Sequence, residues 1–387
     1  MIYENIYDHL NKDLLETLTD KKEVFSFEYM CKFLNVAKTT SEITSSKVFV
    51  VNVLNFLGFV EKLSPTGFLD REIKNKINSG NAKLVINHCH ERTHKYSNPF
   101  YRTIWNTLIE KIQTAGIDLR QVTFLSGDRY IEKSFAVESP LYKVIGLDTM
   151  EFVYNRWSQY HNVYSVPFSL DKDIDFLFLN AVPREHRCVI RYLLNEKDFL
   201  KNSINSWVIG DRRPVLEDIK TFIKHTQLTI DPQEIYNYSL VQKTLDSTSK
   251  NLRGQGNQNF MQLNWLKETK FSFVLETGYQ ENIMLVSEKT FKPMLFKHPF
   301  MVYSHPNHLT YLKECGYETY PELFDESYDL QDDSAKINTM LQNLESFKDR
   351  AEGKEKIINE KLEHNRQQFL SQPCLKTTKQ SLISIFE

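Results

Sequence analysis

The sequence predicts an α/β protein. Two Rossmann-like domains face each other across a cleft, with a helical segment before them and helices after. Three observations carry that expectation. Short apolar runs ending in polar loops alternate with helix-period segments, and they do so in two separate series. The chain has 387 residues, more than one hydrophobic core usually organises. Apolar residues make up 41% and charged residues 25%, a globular balance that excludes fibrous and disordered classes.

The elements follow in order. Residues 1–75 read as a helical segment: 6–18 and 48–59 space apolar residues at helical intervals, with a Ser/Thr-rich break at 39–46. The β-branched density of 48–59 leaves a buried strand as the alternative reading. Residues 76–170 form the first α/β domain. In it, Lys83-Leu84-Val85-Ile86-Asn87 and residues 121–128 are strands around a helix at 101–115. Continuous apolar runs of this kind mark buried parallel strands.

Residues 171–334 form the second α/β domain. Strands are expected at 174–179, 206–210, 271–276 and 300–303. Helices are expected from 185 to 194 and at 214–224, 260–268, 287–297 and 307–315, the last stopped by Gly316. The tail, 335–387, carries Ile337, Met340, Leu341 and Leu344 at heptad-like spacing. It reads as amphipathic helices packed on the body.

The formal net charge is −2, which lacks the basic bias of a nucleic-acid binder, although a local basic cleft is compatible with it. The five cysteines are widely spaced with no paired CxxC, so a reducing, cytoplasmic setting is expected. No signal-peptide pattern opens the chain and no apolar run is long enough to span a bilayer.

Two segments carry the chemistry. Ser287-Glu288-Lys289-Thr290-Phe291-Lys292-Pro293 places an N-cap serine before a helical turn with both a glutamate and a lysine. Free N–H groups at a helix start attract anions, Lys289 suits phosphate, and Glu288 suits ribose hydroxyls. Thr290 and Lys292 extend that surface. The plain alternative is a capped helix with solvated charges.

The second segment, Asn180-Ala181-Val182-Pro183-Arg184-Glu185-His186-Arg187, leaves a strand and opens a helix. It sets Arg184 and Arg187 where a diphosphate would approach, since guanidinium groups grip phosphate oxygens in a fork. The alternative is a surface arginine pair.

Leu275-Glu276-Thr277, then Ser287-Glu288-Lys289-Thr290, then the strand at Phe300, resembles the donor domain of GT-B glycosyltransferases. It is most similar to that of the α-1,3-fucosyltransferases. The segment also resembles phage glycosyltransferase-like proteins that carry Ser-Glu-Lys-Thr-x-Lys. The likeness covers about residues 171–329. It departs from the fucosyltransferase pattern in Ser287 for Thr and in Thr290-Phe291-Lys292-Pro293, and no fucosyltransferase acceptor domain is recognisable.

The resemblance implies a nucleotide-sugar donor, with Glu288 approaching the ribose, Lys289 the diphosphate, and Arg184 acting as the second phosphate-binding cation. Glu276 corresponds to the acidic residue of the strand-and-loop. The expected activity is metal-independent transfer, of hexosyl or fucosyl type, to a hydroxyl acceptor on a glycan, lipid-linked, protein or modified-nucleic-acid partner. Cations and a helix terminus would hold the departing diphosphate, so no metal or other cofactor is required. Asp171-Lys172-Asp173 has metal-motif spacing but precedes its strand and reads as a solvated linker.

An inverting transfer needs a base. Glu91, then His88, then Asp128 are the candidates from the first domain. Plain loop polarity is the alternative for all three. A zinc site at His88, Cys89, His90 and His94 matches no common spacing. Gly254-Gln255-Gly256 is only part of a dinucleotide fingerprint. Asp325-Glu326 and Asp332-Asp333 read as solvated acidic surface, and Tyr279 is a weak candidate for stacking on a base or sugar. Two other functional classes fit the same residues: an inactive GT-B-like binding or structural protein, and a sugar transferase acting on modified nucleic acid.

Overall fold

The computed structural model describes residues 2–5, 27, 38–39, 47–53, 56–88, 99–127, 141–147, 167–180, 182–207, 213–241, 263–277, 279, 286–371 and 373–386. The chain forms two compact units. Unit 1 comprises Met1–Val153, Asn282–Leu285 and Gln372–Glu387. Unit 2 comprises Tyr154–Glu281 and Val286–Ser371.

Among the described residues, unit 1 is built on six parallel strands: β1 (Ile2–Asn5), β2 (Lys38–Thr39), β3 (Val48–Asn52), β4 (Lys83–His88), β5 (Val122–Ser126) and β6 (Lys143–Gly146). They lie in the order β2-β1-β3-β4-β5-β6. The alternation of side chains across the pleat explains the continuous apolar runs, because both faces are covered. Phe49, Val51, Leu84, Ile86 and Phe124 face one core, closed by α1 (Phe56–Lys62), α2 (Arg71–Asn78) and α3 (Pro99–Thr114). Val48, Val50, Val85 and Leu125 face the other core, closed by Leu382 and Ile385 of the C-terminal helix, Pro373–Phe386.

The helical reading of the N-terminal segment is therefore corrected. Residues 2–5 and 48–52 are strands, and helix begins only at Phe56. A fully buried strand is apolar at every position, so helical spacing can be picked out of it by chance. The helix expected at 6–18 lies outside the described residues.

The C-terminal helix makes a local prediction. Leu382 is fully buried against the β3–β4–β5 face, so Leu382→Ala should cost about 2–5 kcal/mol. Thermal unfolding followed by circular dichroism checks this. An unchanged midpoint would mean that the helix contributes little to unit 1.

Among the described residues, unit 2 carries four parallel strands: β7 (Ile174–Asn180), β8 (Ser203–Trp207), β9 (Thr269–Leu275) and β10 (Phe300–Tyr303). The helices between them are α4 (Glu185–Glu196), α5 (Leu216–Thr226), α6 (Pro232–Ser239), α7 (Leu263–Glu268) and α8 (Glu288–Leu295). After β10 come α9 (His308–Glu314), α10 (Asp333–Ala351) and α11 (Glu355–Ser371). β8 begins at Ser203, ahead of the expected start at 206, because its buried anchors Ile204 and Trp207 are interleaved with polar residues.

An aromatic stack fills one face of this sheet. Phe176 lies on Phe271 at 5.7 Å, and Phe271 meets Phe347 of α10 at 4.6 Å and Phe324 at 5.2 Å. Arg191 of α4 is sandwiched between the rings of Trp207 (4.8 Å) and Tyr238 (4.4 Å), which ties α4 to α6.

Candidate functional site

The strand order of unit 2 is β10-β9-β7-β8. From β7 the chain crosses to β8 on one side, then returns to place β9 on the other. The topological switch point is thus between β7 and β9, where open parallel sheets leave a crevice beyond their carboxyl ends. The residues at that edge are Asn180, ending β7, and Glu276 and Thr277, following β9. The β7–β9 register, continued to the strand ends, sets Asn180 beside Leu275. Asn180 is 4% exposed, and its amide nitrogen has no hydrogen-bond partner among the described residues.

Glu276 organises the start of α8. It has no exposed surface, yet its carboxylate is well satisfied. One oxygen accepts from the Ser287 backbone N–H (2.9 Å) and from the Thr290 hydroxyl (2.8 Å). The other accepts from the Ser287 hydroxyl and lies 3.9 Å from the Lys289 ammonium. Glu276 is itself held by its N–H to Tyr303 O (2.9 Å) and by His186 Nε2, which donates to its carbonyl (3.0 Å).

The Ser287 hydroxyl is fully used. It donates to Glu276 and accepts from the Lys289 backbone N–H (3.3 Å) and side chain (3.1 Å). The helix terminus therefore already has a carboxylate against it, and Glu276, Ser287 and Thr290 form a buried knot in which each is a neighbour's partner. The sequence expectation has all three meeting the donor directly; here their side chains hydrogen-bond to one another. The sequence signal was present: an acidic residue ending a strand, then hydroxyls at the N-cap and three residues on.

Two cations converge beside this knot. Arg187, in the first turn of α4, is 3% exposed. Its guanidinium donates to Val182 O (3.2 Å), Leu275 O (3.1 Å) and the Thr277 hydroxyl (3.1 Å). Lys289, in the first turn of α8, donates to the same Thr277 oxygen at 3.4 Å, and its side chain is 27% exposed. Arg187 thus clamps the β7 and β9 loops together, and Lys289 is the more accessible charge. Thr277 was missed as a site residue at the sequence level, because a threonine in a loop carries no signal until its neighbours are known.

The other expected residues are distributed as follows. Arg184 is the half-buried residue preceding α4, one turn before Arg187. Glu288 opens α8, but its side chain lies outside the described set; Lys292 is half-buried in the same helix. In unit 1, His88 ends β4 at 1% exposure, its ring stacked on Phe56 at 4.6 Å, inside an aromatic core rather than in a polar loop. Glu91 and Asp128 lie outside the described residues, as do Cys89, His90, His94 and Gly254–Gly256.

Two other readings are corrected, and the two acidic pairs, whose Asp325 and Asp332 are exposed as expected, also take local structural roles. Tyr279 is a core residue, hydrogen-bonded to Glu185 and packed on His186 at 4.2 Å and Phe222 at 5.6 Å. Lys172 is not simply solvated: it donates to Thr269 O at 2.8 Å, and burial pushes its pKa down to about 8. Asp325 and Asp332 cap helical turns through Ser327 N–H and Ala335 N–H. Glu326 accepts from Tyr320 N–H (2.7 Å), and Asp333 accepts from the Tyr303 hydroxyl (2.6 Å).

Beyond β10, at the same sheet edge, His305 and His308 lie in contact at 3.4 Å. Burial pushes His305 down to about 4 and His308 well below its ordinary value, so both rings are neutral near pH 7. Among the described residues, no three His, Cys, Asp or Glu gather as a metal-holding cluster, and no helix is long and apolar enough to cross a membrane.

No family model and no curated protein sequence matches the chain. Among solved structures, a T4 phage BGT mutant in complex with UDP-glucose is similar, with a TM-score of 0.35 at 8% identity over 100% of this chain and 99% of that one. At that level of likeness the site has to be read from its own geometry.

Proposed function

We propose that this protein is a metal-independent glycosyltransferase that holds the diphosphate of a nucleotide-sugar at the carboxyl edge of the unit 2 sheet. The observation that carries the reading is the convergence of Arg187 and Lys289 on Thr277 at the β7–β9 switch point, beside the unspent amide of Asn180. A buried amide without a partner costs about 1–3 kcal/mol, which a ligand oxygen would offset.

In the proposed reaction an acceptor hydroxyl oxygen bonds to the anomeric carbon while the bond from that carbon to the diphosphate breaks. The electron pair leaves with the diphosphate oxygen, and the hydroxyl proton passes to a base. Negative charge therefore grows on the diphosphate in the transition state. Lys289 is assigned to that charge, and Arg184 is the second candidate. Arg187, Glu276, Ser287 and Thr290 act one step back, fixing the loop and the lysine in place. Prepositioned charges of this kind need no reorganisation as the bond breaks. Glu288 is assigned to the ribose and Lys292 to the outer rim of the phosphates. Glu91 is proposed as the base, with Asp128 and His88 as the further candidates; the His88 ring is enclosed by Phe56 and the core around it. The sugar is taken as hexosyl or fucosyl.

A thermal-shift screen against UDP, GDP, CMP and ADP and their sugars tests this reading. A ligand at a hundred times its dissociation constant adds about 2.7 kcal/mol, enough to raise the unfolding midpoint by several degrees. No shift with any of the panel at millimolar concentration would count decisively against a nucleotide-sugar donor.

A further inference from the structure

The hydrogen-bonding capacity of one hydroxyl at the site is informative. A threonine Oγ has one O–H donor and two lone pairs. At Thr277 the oxygen accepts from the Arg187 guanidinium (3.1 Å) and from the Lys289 ammonium (3.4 Å), so both lone pairs are engaged by cations. Those two contacts fix where the O–H bond can point: away from Arg187 and away from Lys289. No described residue accepts that proton. Thr277 is also partly exposed, whereas Glu276 before it is buried.

A hydroxyl that accepts from two positive groups is polarised, and its remaining proton is a stronger donor than that of a solvated threonine. Beside the two cations, the complement of such a donor is an anionic oxygen. We infer that Thr277 is a ligand-binding residue, donating its hydroxyl proton to a phosphoryl oxygen that the Lys289 ammonium contacts as well. This deepens the proposed donor site and rests on it. With the α8 terminus already occupied by Glu276 and Arg187 committed to two carbonyls and this hydroxyl, Thr277 and Lys289 together are the gripping pair. Their heteroatoms are 3.4 Å apart, within reach of a single phosphoryl group.

Calorimetric titration with UDP, GDP, CDP and ADP tests the inference on the full chain. Against the tightest binder, Thr277→Val, which keeps the shape and loses the hydroxyl, should bind about tenfold or more weakly. Thr277→Ser should retain binding within a few-fold. A purely structural role is separated by repeating both titrations with the α-thio and β-thio forms of that diphosphate, because sulfur is a poor acceptor. A direct hydrogen bond predicts that one thio substitution weakens the wild type by a clearly larger factor than Thr277→Val, which keeps only the Lys289 contact to that oxygen, a coupled pair. If each thio form weakens both proteins equally, the hydroxyl does not touch the phosphate and the inference falls. If the diphosphate loses affinity on Lys289→Ala but not on Thr277→Val, the inference falls while the donor site stands. If no diphosphate binds the wild type, both fall together.

Discussion

Lys289→Ala should lower nucleoside diphosphate affinity by about a hundredfold and leave a folded protein. Two features set the size of the loss. The ammonium is the accessible charge of the converging pair, and hydrogen bonds to charged groups contribute about 1.5–3 kcal/mol each. A phosphate that shared Lys289 with Thr277 would lose one such bond outright and part of the second, since the Thr277 oxygen would no longer be polarised from that side. The fold should survive because the lysine side chain is 27% exposed and supplies only the longest of the contacts to Glu276, at 3.9 Å. The hydroxyls of Ser287 and Thr290 and the Ser287 N–H stay on that carboxylate.

Lys289→Arg should recover only part of the affinity. A planar fork on a longer stem does not place a donor where a point charge stood. Rising salt should shrink the gap between wild type and Lys289→Ala, because the term removed is partly screened. Titration of each variant at two ionic strengths checks both statements. A folded Lys289→Ala protein with wild-type affinity would remove the lysine from the site.

Much of unit 2 was legible in the sequence because its strands are short, apolar and flanked by turn residues. β7 and β9 lie within a residue or two of the positions read from the pattern, and β10 coincides with residues 300–303. Helix α8 was announced by Ser287, whose cap geometry is local chemistry. The β3 strand in unit 1 was harder, since Val48-Phe49-Val50-Val51 is buried on both faces and has no period of its own.

For the site, the identity of the cation-bearing segments could be read from residue type and position. What each side chain touches could not. Glu276 and Ser287 are eleven residues apart, and Arg187 and Thr277 are ninety apart. The Arg187–Thr277 pairing exists because β7 and β9 are neighbours in the sheet, and the Glu276–Ser287 pairing because α8 starts beside the end of β9. Of the two arginines, Arg187 proves to be the clamp because its helical position turns it inward over β9.

A large effect on the stability of unit 2 is expected from Glu276→Gln. The substitution keeps volume and removes charge, so it isolates what the carboxylate does. At present four donor groups surround its two oxygens: Ser287 N–H, Thr290 O–H, Ser287 O–H and the Lys289 ammonium. A glutamine offers one acceptor oxygen and one NH2. If the amide oxygen faces Ser287 N–H and Thr290, the NH2 faces Ser287 and Lys289, where donors then meet donors. Turning the amide over moves the conflict to the Ser287 N–H. The Ser287 hydroxyl offers no escape, because its lone pairs are already filled by the Lys289 backbone and side chain. Either orientation strands a buried polar group, and the helix start loses its neutralising anion.

The combined cost should be about 2–4 kcal/mol, a drop of roughly 5–10 °C in the unfolding midpoint of unit 2. Thr290→Val, which removes one donor and leaves the charge, should cost about 1 kcal/mol. Scanning calorimetry of both variants measures the difference. A Glu276→Gln midpoint within a degree of wild type would show that the charge of this side chain contributes little to holding the start of α8. The two substitutions then have opposite signatures. Removing the lysine should weaken ligand binding about a hundredfold at little cost in stability, whereas neutralising the glutamate should cost stability first. Combining them should cost less than the sum, because the second change no longer breaks the 3.9 Å pair.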